Sequence, residues 1–97
     1  MFLRKRQKAI AKEAAEAAWE WSKDRGWTPE QRYNAAKLDT ETYITGLRYS
    51  KECGGGRDGF GSVITSIIIS LMIKFAVSIL LKKLEDAIFS ETESVAH

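Results

Sequence analysis

Few side chains in this sequence could do chemistry: one cysteine, one histidine, a run of three glutamates and one lysine inside an apolar stretch. Cys53 stands beside a glycine triplet and His97 is the last residue given, so nothing in their spacing forms a nucleophile–base pair. Glu13, Glu16 and Glu20 repeat at i,i+3 and i,i+4, the spacing of a metal-binding or catalytic array. Lys8, Lys12 and Lys23 lie close enough along the same helix to make them ordinary surface pairs. The run GGGRDGFGS has glycine next to a basic residue but lacks the GxxxxGK[ST] spacing of a phosphate loop and follows no strand. HExxH, GxSxG and CxxC are absent, and the single cysteine excludes an intrachain disulfide and a cysteine-based metal cluster. The expectation is a protein that is not an enzyme and uses no cofactor or metal. One group has an unusual setting, and that is Lys74.

Lys74 is the only charge between Phe60 and Leu81, a stretch of 22 residues of which 15 are apolar. As a helix this stretch is about 33 Å long, close to the ~30 Å hydrocarbon thickness of a bilayer. Its thirteen Leu, Ile, Phe and Val residues favour insertion by very roughly 4 to 8 kcal/mol, and one central lysine opposes it by about 2.5 to 3.5 kcal/mol. Lys82 and Lys83 close the stretch as a dibasic stop. Against a span stand a longest charge-free run of only 15 residues, Gly59 to Ile73, five Ser or Thr residues, and no Trp or Tyr at either end.

The polar positions are ordered. Ser62, Ser66, Ser70, Lys74 and Ser78 recur every four residues, so they wind slowly around a helix, with Ile64, Ile68, Leu71 and Phe75 on the other side. In lipid such a line is a close-contact face for another helix, and it would bring Lys74 toward a partner or a wet cavity. These five residues are the expected helix–helix contact.

The elements around this stretch read as helices. Residues 4–25 are alanine-rich, with Ile10, Ala14, Ala17 and Trp21 as the expected buried stripe and Arg25-Gly26 as the end. Thr28-Pro29-Glu30-Gln31 spells a capping box with proline at the first helical position, opening a second helix over 29–50. Its stripe is Tyr33, Ala36, Thr40, Tyr43, Ile44 and Leu47, with Gly46 marking close approach of the first helix. Trp27 is expected to fold onto Arg32 or Tyr33. The fold class is therefore all-α: a helical hairpin over 1–52, a glycine-rich hinge over 53–61, a long hydrophobic, membrane-spanning helix over 62–89 and an acidic tail over 90–97. The apolar faces of the hairpin are too sparse for a free domain, which calls for a partner, a membrane surface or docking of the third helix.

Charge is unevenly placed. Arg4, Lys5, Arg6, Lys8 and Lys12 put five cations in the first twelve residues, while Glu85, Asp86, Glu91 and Glu93 follow Lys83. With Lys82 and Lys83, the first five are the expected lipid or anion contacts. Nucleic acid is the weaker partner for them, because no stacking platform or recognition motif accompanies the charge. Met1-Phe2-Leu3 runs straight into charge, unlike a signal peptide. The reading that follows is a small single-pass membrane protein with a structural or scaffolding role. Its partners would be the lipid bilayer and a protein or a second copy met through the hydrophobic helix and the hairpin. Near-flank charges place the N-terminal half on the cytoplasmic or interior side. The alternatives are a soluble oligomer whose third helices share a core, and a holin-like pore lined by the serines and Lys74.

Overall fold

The computed structural model describes residues 3–53 and 60–96, with side chains from 3–53 and 63–90. Among them are three α-helices: α1 (Lys5–Trp21), α2 (Pro29–Gly46) and α3 (Phe60–Ala96). Two short 3₁₀ turns, Leu47–Tyr49 and Lys51–Cys53, follow α2. The fold is all-α, a helical hairpin followed by one long apolar helix, as the sequence pattern indicates. The hinge expected over 53–61 falls mostly on residues 54–59, outside the described residues.

Alanine carries α1, and it also determines how α1 packs. The buried line is Gln7, Ala11, Ala15, Ala18, Trp19 and Ser22. The expected stripe of Ile10, Ala14, Ala17 and Trp21 is the neighbouring line: Ala17 is exposed and Trp21 is 44% exposed. The buried line won because its methyl groups let a neighbouring helix approach closely, while the polar residues at its two ends are satisfied. Gln7 accepts from the Arg4 N–H at 2.8 Å and donates from Nε2 to the Glu52 carbonyl at 2.6 Å. Ser22 donates from Oγ to the Trp19 carbonyl at 2.6 Å.

Helix α1 stops at Trp21 rather than near Arg25 because the backbone turns over: Asp24 has φ 59° and Gly26 φ 75°. Arg25 still caps the end, donating from Nε to the Trp21 carbonyl at 2.7 Å. The capping box of α2 forms as its sequence spells it. The Gln31 N–H donates to Thr28 Oγ1 at 3.2 Å, and the Thr28 N–H donates to Gln31 Oε1 at 2.9 Å. Trp27 packs edge-on against Trp21, centroids 5.7 Å apart, with Arg25 over both rings. It does not fold onto Arg32 or Tyr33. Arg32 instead lies 3.9 Å over Trp19 and donates to the Trp19 carbonyl and to Ser22 Oγ, tying the two ends of the hairpin turn together.

Ala36, Thr40 and Ile44 are the buried face of α2, with Tyr33 and Leu47 beside them. Tyr43 points outward and is 53% exposed. Gly46 ends the helix with open space around it, so it marks no close approach. Helix α3 begins at Phe60 and continues through the acidic residues to Ala96, beyond the expected end at 89. Beyond Gly61 in its first turn, α3 contains no glycine or proline to interrupt it.

Helix α3 lies across both hairpin helices. Gln7 meets Glu52, Cys53 Sγ donates to Met72 Sδ at 3.5 Å, and Lys83 adds its charge near Glu20. These contacts set α3 parallel to α1. A helix of 37 residues is about 55 Å long, matching the 57 Å long axis of the molecule. The 17 and 18 residues of α1 and α2 reach only about 26 Å. The hairpin covers about half of α3.

Candidate functional site: the third helix

Helix α3 has two unlike sides. Thr65, Ile69, Met72, Ala76 and Leu80 are buried against Ala11, Ala15, Ala18, Ala36 and Ile44. Their spacing of four, three, four and four residues keeps one line facing the hairpin. The opposite side is uncovered. Val63 is 62% exposed, Ile67 42%, Leu81 45%, Ile88 38% and Phe89 66%. These large apolar side chains lie along most of one helix.

The polar line expected at the helix–helix contact runs on the uncovered side. Ser66, Ser70, Lys74 and Ser78 are all exposed; the side chain of Ser62 is outside the described residues. Ser78 satisfies its hydroxyl by donating to the Phe75 carbonyl at 2.6 Å, the back-bond that lets serine sit in an apolar helix. Ser66 and Ser70 line a shallow groove of about 290 Å³ with Thr45, Arg48, Ile69 and Ile73.

The cations are not brought together. Arg4, Lys5, Arg6, Lys8 and Lys12 are exposed on the first turns of α1, at the open end of the hairpin. Lys82 and Lys83 stand near its closed end, where Lys82 lies 3.8 Å from Asp86. A single anionic surface touching both groups would have to run along the whole bundle.

The glutamate array on α1 is a solvated face. Lys23 approaches Glu20 to 2.6 Å. Its hydrogen bond, with the nearby charges of Lys83 and Arg32 adding to it, holds the Glu20 carboxyl below the usual glutamate value. No group of three metal-ligating side chains occurs among the described residues. Cys53 is buried as a small apolar residue against Met72. His97 is outside the described residues. The line of Ile10, Ala14 and Ala17 lines an open groove of about 560 Å³ between α1 and α2, together with Tyr43, Leu47, Arg6 and three carboxylates.

Residues Val63–Ser90 form a helix long and apolar enough to cross a membrane, and an 18-residue window within it has a mean hydropathy of 2.4 and is 28% buried. Family models, curated proteins and solved structures contain no match to this chain.

Proposed function

We propose that this chain is a small single-pass membrane protein with a structural or scaffolding role, in which α3 spans the bilayer and the α1–α2 hairpin is a head that engages an assembly. One observation carries the reading: the most apolar helix of the chain is largely uncovered, with 28% of its span-length window buried. Water is a poor solvent for the remainder, and hydrocarbon is a good one.

A full span requires the hairpin to leave α3. Lys12, Glu13, Lys37 and Asp39 sit on helices packed beside the same turns of α3, and none of them tolerates hydrocarbon. The docked arrangement competes with insertion and is the stronger of the two on these terms. Docking buries Ile69, Met72 and Leu80, worth about 1.5 to 3 kcal/mol each. Insertion is favoured by roughly 1 to 5 kcal/mol once the cost of the lysine is deducted. Once inserted, Lys74 snorkels toward Lys82 and Lys83 at one interface, and the weak excess of cations before the span favours the hairpin on the cytoplasmic or interior side.

The test is carbonate extraction of membranes from cells expressing the full chain, followed by protease protection. The reading expects a carbonate-resistant protein with a protected fragment containing Val63–Ser90. A chain that washes off and leaves no fragment overturns it.

A further inference from the structure

The uncovered side of α3 carries a heptad seam. Ile64, Ile67, Leu71, Lys74, Ser78, Leu81, Glu85 and Ile88 alternate by three and four residues, the spacing that keeps one line of side chains facing a partner helix. This line lies opposite the buried one. From Ile67 to Ile88 its members are exposed or half-buried in the docked chain. Ile64, Leu71, Ser78 and Glu85 take one core position of the repeat, and Ile67, Lys74, Leu81 and Ile88 take the other.

We infer that, in water, two copies of this chain pair through α3 in antiparallel orientation, with Lys74 of each facing Glu85 of the other. The charges choose both the partner and the direction. In an antiparallel pair the two core positions oppose each other, and one register places Leu71 against Ile88, Lys74 against Glu85 and Ser78 against Leu81. The two-fold axis then repeats all three layers, so both lysines and both glutamates are matched. A parallel pair would set lysine on lysine and glutamate on glutamate in the same layers, which is repulsive. Among the described residues neither Lys74 nor Glu85 has an ion-pair partner within the chain. A polar layer inside an apolar seam fixes register and direction at some cost in strength.

The shape of the molecule points the same way. The part of α3 beyond the hairpin carries Ile88 and Phe89, which its own hairpin leaves exposed. The antiparallel register lays Ile88 beside Leu71 of the second copy. The seam is the same surface that lipid would cover in the inserted state, so the dimer is the form of the chain outside the membrane. It does not depend on insertion taking place.

The test is sedimentation of the full chain in detergent-free buffer over a range of concentrations, with Lys74→Glu, Glu85→Lys and the double variant. Each single reversal places two like-charge pairs in the seam and should raise the dimer dissociation constant by at least about tenfold. The double variant restores the pairing and should return close to the parent value. Both positions are exposed, so circular dichroism of all four proteins should match. A monomer at every concentration, single reversals without effect, or a double variant no better than the singles overturns the inference. Recovery in detergent alone also overturns it while leaving the membrane reading intact. A buffer dimer that never associates with vesicles overturns the membrane reading alone.

Discussion

Replacing Ala15 with leucine separates the docked arrangement from the apolar character of α3 itself. Ala15 is fully buried on α1 in the core that the three helices share, so three added carbons have no room without pushing the helices apart. Overpacking of this kind costs about 1 to 3 kcal/mol, and alanine and leucine differ little in helix propensity, so the cost falls on docking. The docked-to-open ratio should therefore fall about 5- to 140-fold. Because α3 is unchanged, its affinity for lipid is unchanged too. Two assays follow: the denaturant midpoint in buffer, and co-flotation with liposomes at limiting lipid. Ala9→Leu, on an exposed position of the same helix, is the control and should alter neither. The variant should denature earlier and float more. If it denatures earlier but floats no more than the parent, release of α3 from the hairpin is not the step that leads to the membrane. If its midpoint is unchanged, the α1–α3 contact is not as close as described.

Other consequences concern the hairpin. Gln7→Ala removes both the link to the Glu52 carbonyl and the return half of the α1 cap, and should lower stability by about 1 to 3 kcal/mol in chemical denaturation. Thr40 is buried with no partner for Oγ1 among the described residues, so Thr40→Val should raise the denaturation midpoint, by about 1 kcal/mol. Glu20 should titrate below an ordinary glutamate by NMR, and Lys23→Met should raise it. A depressed carboxyl stabilises the fold above its ordinary titration range and loses that contribution as pH falls through the folded value. Lys23→Met should therefore narrow the stability difference between neutral and acidic pH.

The sequence made the three helices legible because their signals are local. Thr28 to Gln31 is read directly as a cap, and alanine and isoleucine content separates α1 from α3. The face that α1 buries is not legible, since Ile10 and Trp21 offer far more apolar surface than Ala11 and Ala15. Close approach selected the smaller side chains, and that depends on the partner helix. Trp27 was misplaced for a related reason: stacking of Arg25 on two rings follows from the turn at Asp24 and Gly26, which a one-dimensional pattern does not give. The serine line is legible as a four-residue period on α3, and its described members are exposed. What it meets depends on lipid or a second chain, neither of which is encoded in its period. The end of α3 lies beyond 89 because acidic residues alone do not stop a helix and no breaker occurs there.

The most direct test of the spanning helix is thiol labelling along it in isolated membranes, in a Cys53→Ala background, with cysteine placed singly at Ser66, Ser70, Met72, Ala76 and Ser78 and, as a head control, at Glu30. An impermeant maleimide is added before and after detergent. A span predicts that all five α3 positions are protected until detergent is added, while position 30 reacts from one side only. Labelling at positions 66, 70 and 78 with protection at 72 and 76 would trace the docked bundle in water and contradict the span.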